Sequence, residues 1–247
     1  MNWGRFPFSS TGTLPGTRRA RMLQGNTSTS GQKTFGIVNG TNPQETQDFT
    51  HHFWPTGNDQ FRESVDLYAE VMAEIDEAVT GMVFESYGVE KYHDDQFRLT
   101  FHNLRLIKYK VPEKLGGDMV LRSHTDKTFS TILHQNYVNG LEINTKNDEW
   151  VAFDPLPSSV VFIAGDAFQV WSNDQIRPYR YKVTLRENEV RYSFRVLSLY
   201  KGVIRVPNEL VDKDHPLLYK PLSHLEFLNA RKSVGETEYA GKAYCAI

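Results

Sequence analysis

His124-Thr125-Asp126 is the segment of this chain whose residue types and spacing are best suited to chemistry. Side chains two apart on an extended strand point to the same side, so this imidazole and carboxylate can close on one ion. They would form two thirds of a facial triad, the ligand set that leaves positions open on a non-haem iron. Taken alone, the pair is better explained as a turn aspartate bonding the backbone beside a surface histidine. A second pair changes the balance. Arg191 and Ser193 also share a strand face, and a guanidinium fork with a hydroxyl inside an apolar barrel binds a carboxylate through two parallel charge-assisted bonds. On an edge strand the same arginine is only a surface charge. Tyr109, closing Leu104-Arg105-Leu106-Ile107-Lys108-Tyr109, either offers another hydroxyl to the same anion or packs as a core tyrosine.

These residues need strands to hold them. Short runs rich in Val, Ile, Phe and Tyr predict strands at 101–111, 118–123, 128–135, 140–144, 150–153, 159–164, 168–172, 179–185 and 190–199. Turn pairs such as Asn139-Gly140, Asp154-Pro155 and Gly165-Asp166 separate them. Strand after strand without intervening helices predicts antiparallel sheets folded on one another, a sandwich or jelly roll. Before them, Phe61, Val65, Tyr68, Met72, Ile75, Val79, Met82 and Tyr87 recur at steps of mostly three and four. That spacing predicts one amphipathic helix over 58–87, capped by Asn58 or Asp59 and ended by Gly88. A closing helix is expected at about 222–233, and no regular structure before about residue 35. The division that follows is a basic arm, 1–34, and one domain, 35–247, with its jelly-roll core at about 101–200.

The chain has 247 residues and a formal net charge of −2. Near-neutral balance argues against a general nucleic-acid binder, and no apolar stretch approaches the length needed to span a membrane. The single cysteine, Cys245, excludes an internal disulfide and a cysteine-rich zinc site, and makes a reducing compartment the expectation. Residues 1–44 carry five basic and no acidic residues. That acid-poor, Arg/Ser/Thr-rich composition is expected to be a flexible arm, with an organelle transit peptide as the alternative.

From about Met22 onward the chain resembles the plant 2-oxoglutarate/Fe(II)-dependent dioxygenases, within them the glucosinolate side-chain (AOP-like) and auxin-oxidase-like branch. Segments carrying the resemblance include Phe84-Glu85-Ser86-Tyr87-Gly88, His124-Thr125-Asp126-Lys127-Thr128, Asn139-Gly140-Leu141-Glu142, Ile163-Ala164-Gly165-Asp166-Ala167, Trp171-Ser172-Asn173-Asp174, Arg191-Tyr192-Ser193 and Glu209-Leu210-Val211-Asp212. The resemblance implies a double-stranded β-helix core with helices outside it, and iron held by His124 and Asp126. It implies that 2-oxoglutarate chelates the iron through its keto acid end while its far carboxylate meets Arg191, Ser193 and Tyr109. Oxygen would be the other co-substrate, ascorbate an accessory reductant, and the cytoplasm the location. Phe129, Phe168 and Trp171, close in sequence to the metal segments, are candidate walls of a small-molecule substrate pocket.

Two departures from the family pattern stand out. The second histidine ligand of the family falls on Tyr181, and no histidine stands between His134 and His215. An unperturbed phenol has a pKa of about 10, so Tyr181 is either a weak phenolate ligand or an apolar-packed tyrosine in a dead site. The second departure is at the front, where the family's opening strand is not recognisable and residues 1–34 are too polar to replace it. A face left uncovered would make the chain marginally stable and prone to self-association. The expected function is an oxygenase that hydroxylates or desaturates a small plant specialised metabolite or hormone, impaired by Tyr181. The alternatives are a catalytically inactive relative and a jelly-roll module that binds a small acid.

Overall fold

The computed structural model describes residues 32–111, 118–156, 158–186, 189–230 and 239–247. Most of the expected N-terminal arm lies outside these residues. The described residues open with β1 (Gln32–Ile37), α1 (Pro43–Phe53), α2 (Asp59–Ser86) and α3 (His93–Leu99). The strands β2 (Thr100–Tyr109), β3 (Asp118–His124), β4 (Ser130–Gln135), β5 (Leu141–Asn144), β6 (Trp150–Ala152) and β7 (Val161–Ala164) follow. Next come α4 (Asp166–Trp171), β8 (Tyr181–Leu185), β9 (Tyr192–Tyr200), β10 (Val203–Ile204), β11 (Leu222–Ser223), α5 (His224–Asn229) and α6 (Ala240–Cys245).

The strands form a five-stranded sheet in the order β1-β2-β9-β4-β7 and a four-stranded sheet in the order β3-β8-β5-β6, with β10 and β11 as a separate pair. Every pairing is antiparallel. This is the jelly-roll arrangement expected from the strand spacing. Ile107 and Tyr109 of the larger sheet pack against Val183 and Leu185 of the smaller one, and Leu133 and Ile163 meet Leu141 and Tyr181 in the same way. The opposite face of the larger sheet, with Leu104, Leu106, Ile132, Phe194 and Val196, packs on α2. Both faces are therefore buried, which is why these strands read as nearly continuous apolar runs rather than alternating ones.

Helix α2 starts where the Asn58 side chain accepts from the Phe61 N–H at 3.0 Å, and ends before Gly88, whose φ of +66° suits a residue without Cβ. Its inward line runs through Phe61, Val65, Tyr68, Met72, Asp76, Thr80 and Phe84. Met82, expected in the apolar stripe, is instead 64% exposed. Steps of four carry the buried line past it to Phe84, which stacks on Trp171 at 4.1 Å. Asp76 anchors the helix to the sheet, accepting from the Ser130 and Ser198 hydroxyls and facing His102 Nε2 at 3.3 Å. A buried carboxylate is tolerable only with such partners.

Several expectations are corrected. Residues 168–171 are not a strand but belong to α4, all of it buried, with Ser172 as its C-cap; so short a run has no period to distinguish the two. Regular structure begins before residue 35, because β1 pairs Gln32 to Ile37 with Tyr109 to Leu104 of β2. The boundary of the folded domain thus moves to residue 32 at the latest. Helix α1 was hidden by its polar sequence, although Asn42 caps it and Pro43 opens it. Its Phe49 and Phe53 pack on Phe61 and Phe35 and cover part of the surface expected to be bare. The closing helix is shorter than 222–233, since Leu222 and Ser223 pair with β10. Among the described residues, no helix is long and apolar enough to cross a membrane.

His224 yields a pH prediction. Its Nδ1 accepts from the Tyr200 N–H at 3.0 Å and its Nε2 lies 2.9 Å from the Lys127 carbonyl. Burial, only partly opposed by that carbonyl, lowers its pKa to about 4. The unfolded histidine, near 6.5, takes a proton first as the pH falls, so the contribution of His224 to stability is full above about pH 6.5 and is lost toward pH 4. The slope approaches about 1.4 kcal/mol per pH unit. Denaturant unfolding of the wild type and of His224→Gln between pH 7 and 4 should show a steeper loss in the wild type; parallel curves would remove His224 from the account.

Candidate metal and co-substrate site

The ladder between the two strands that carry the candidate metal residues sets the site. His124 ends β3 and pairs with Tyr181, the first residue of β8. The two rings are 4.3 Å apart, and His124 Nε2 lies 3.6 Å from Asp126 Oδ1. The loop bearing Asp126 is clamped by the start of α4: Gly165, Asp166 and Ala167 donate backbone N–H groups to the carbonyls of Phe129, Asp126 and Thr128. A Cβ at Gly165 would stand 2.0 Å from the Thr128 carbonyl oxygen, so only glycine fits this approach.

Within the cluster each acidic or aromatic oxygen has a partner. His124 Nδ1 lies 2.8 Å from the Arg122 carbonyl, a contact that orients the ring with Nε2 toward Asp126. Asp126 accepts from the Thr131 hydroxyl through Oδ2 at 2.8 Å and from the Tyr181 hydroxyl through Oδ1 at 2.8 Å. Burial alone would raise the Asp126 pKa, but the His124 ring, Arg195 and the Thr131 hydroxyl outweigh it and hold it at about 2. Burial drives the Tyr181 phenol well above its ordinary value, Asp126 adds to the rise, and Arg195 opposes it.

Immediately before β9, Arg191 is 0% exposed. Its Nη2 donates to Gln135 Oε1, and its guanidinium lies 4.6 Å from the centre of the Tyr109 ring. The Ser193 hydroxyl is 3.5 Å from the Tyr109 hydroxyl. Burial raises the Tyr109 phenol, but Arg195 and Arg191 outweigh it and bring it down to about 8. Gly140 makes room for Arg191: its φ is +149° and an added Cβ would touch the Arg191 side chain at 3.4 Å and Leu185 at 3.0 Å.

The structure thus brings together His124, Asp126 and Tyr181, and beside them Arg191, Ser193 and Tyr109. It does not bring Phe129, Phe168 and Trp171 to them. Those rings stack on one another, with Phe129 and Phe168 4.3 Å apart, in the cluster with Phe84 and α4. They are core, because their sequence neighbours at the metal segments turn toward the other sheet. Two residues were missed. Arg195 lies on the face of Arg191 and Ser193, two positions on, and donates through Nη1 to the Tyr181 hydroxyl at 3.0 Å and through Nη2 to the Tyr109 hydroxyl at 3.2 Å. Gln135 sits opposite Ser193. Strand alternation was the signal for both.

Comparison with known proteins settles the family. Residues 94–198 match the family model described as the 2OG-Fe(II) oxygenase superfamily. A probable 2-oxoglutarate-dependent dioxygenase AOP1 of Arabidopsis thaliana is 37% identical over 208 residues, covering 80% of this chain and 68% of that relative. This chain belongs to the 2-oxoglutarate-dependent dioxygenases. It spans about two thirds of the length of the first curated relatives it matches. The rice dioxygenase for auxin oxidation superposes with a TM-score of 0.78 at 28% identity, covering 87% of this chain and 73% of that one. The Arabidopsis thaliana dioxygenase for auxin oxidation 1, in its 2-oxoglutarate binary complex, gives a TM-score of 0.68 at 27% identity, covering 75% and 70%.

The dioxygenase family implies iron and 2-oxoglutarate, and the residues fit the two unequally. For the keto acid the fit is direct: Arg191 Nε and Nη1 are buried without a partner, donors that a carboxylate would satisfy. For the ion, His124 Nε2 and Asp126 supply two suitable donors. Tyr181 keeps its proton in a hydrogen bond donated to Asp126, and its oxygen already accepts from Arg195. Among the described residues no group of three His, Cys, Asp or Glu side chains is placed to hold a metal. An ion would find two protein ligands here among the described residues.

Proposed function

We propose that this chain is a 2-oxoglutarate-dependent oxygenase of a small plant specialised metabolite or hormone, with Fe(II) held by His124 and Asp126 and turnover impaired by Tyr181. The observation that carries this reading is Arg191, buried in the barrel with two N–H donors free for the far carboxylate of the keto acid. Ser193 and Tyr109 add hydroxyls beside it. Arg195, bonded to the hydroxyls of both Tyr109 and Tyr181, connects this anchor to the His124–Asp126 pair. The Thr131 hydroxyl and the Arg122 carbonyl fix the orientation of Asp126 and His124, whose side chains stay partly open to solvent. When bound, the iron would supply oxygen activation coupled to oxidative decarboxylation of the keto acid. A cytoplasmic location goes with this reading, supported by the single cysteine.

A second reading, a non-catalytic relative that binds a small acid, is supported by the hydrogen-bonded run from Arg195 through Tyr181 to Asp126, which satisfies these groups without an ion. Succinate release from 2-oxoglutarate with Fe(II) and oxygen separates the two. We expect a low rate above the protein-free control; release indistinguishable from the control at high protein concentration would reject the oxygenase and leave the binder.

A further inference from the structure

Arg195 is 8% exposed and lies on the inner face of β9, where neither its position in the sequence nor the co-substrate site requires a second guanidinium. Its two terminal nitrogens donate to the hydroxyls of Tyr181 and Tyr109, and the Tyr181 hydroxyl in turn donates a hydrogen bond to Asp126. Its Nε, like Arg191 Nε and Nη1, is buried without a partner.

The charges in this interior are informative. With one arginine, one aspartate and a doubly negative keto diacid, a barrel needs a divalent cation to approach neutrality. Here the described residues of the cluster supply Arg191 and Arg195 against Asp126, a surplus positive charge before anything binds. Buried charge without compensation is strongly disfavoured. An anion therefore suits this interior without help from a metal.

We propose that Arg195 supplies one of the two positive charges that a divalent metal ion would otherwise supply beside Asp126, making the barrel a metal-independent binding site for a small carboxylate. The proposal rests on the reading of Arg191 as a carboxylate anchor. Arg195 holds the hydroxyl of Tyr181 where a ligand to the ion would stand, and Tyr181 in turn occupies Asp126. Carboxylate binding and metal binding are thereby uncoupled.

Calorimetric titration of 2-oxoglutarate into the full chain tests this, once in EDTA and once with Mn(II) in place of the oxidisable Fe(II). The expected affinities agree within about threefold, and Arg195→Met weakens binding in EDTA about tenfold or more. Arg195→Lys, which keeps the charge, should retain most of the affinity, and it serves as the readout should Arg195→Met fail to fold. Wild-type binding that needs Mn(II), or unchanged affinity in folded Arg195→Met, or loss in folded Arg195→Lys equal to that in Arg195→Met, would overturn the proposal while leaving Arg191 as anchor. No binding of 2-oxoglutarate under either condition would overturn the anchor itself.

Discussion

Replacing Arg191 by alanine should weaken 2-oxoglutarate binding by about 2–5 kcal/mol, the usual cost of removing one partner from a buried charge pair. The side chain is wholly buried, so neither solvent nor salt would screen the loss. Gln135, whose Oε1 accepts from Arg191 and whose Nε2 donates to the Val138 carbonyl at 3.2 Å, would keep its place but has no charge to offer. Arg191→Lys should recover only part of the affinity, because an ammonium cannot present the planar fork. Calorimetry in which Arg191→Ala binds as tightly as the wild type would move the anchor elsewhere.

Much of this site was legible because a strand has a period of two. His124 with Asp126 and Arg191 with Ser193 could be assigned to common faces without knowing which strands were neighbours. Arg195 obeys the same rule but sits between Phe194 and Val196, residues that pack outward on α2, and a charged residue among apolar ones did not suggest an interior position. Only the contact with Tyr181, on the other sheet, shows what it does. Phe129, Phe168 and Trp171 failed for the complementary reason. Nearness in sequence to the metal segments suggested a pocket wall, whereas their partner Phe84 comes from α2, a long-range contact that no local spacing reports. The strands expected between 101 and 199 were found to within a few residues except at 168–172, where burial of a whole helical turn erased the amphipathic signal, while β1, β10 and β11 were not expected at all.

Tyr181→His carries the other large effect. Iron that must be held by a phenol has to displace its proton, and the surroundings of Tyr181 favour keeping that proton, by burial first and by Asp126 second. A neutral imidazole needs no such displacement, completes the facial set with His124 and Asp126, and frees Asp126 Oδ1 from the hydroxyl it now accepts. Loss of a mere supporting partner changes metal affinity about 10–100-fold, so gain of a direct ligand should tighten Fe(II) binding by about 100-fold. Equal Fe(II) affinity in both proteins, measured anaerobically, would show that residue 181 does not stand at the third ligand position.

The central claim is that this dioxygenase-family barrel keeps its co-substrate anchor while residue 181 limits its use of iron. It is tested most directly by the initial rate of succinate formation from 2-oxoglutarate at saturating Fe(II), with the wild type and Tyr181→His side by side. The predicted result is a slow, iron-dependent rate in the wild type that rises about tenfold or more in Tyr181→His; a wild-type rate equal to or above that of the variant would contradict it.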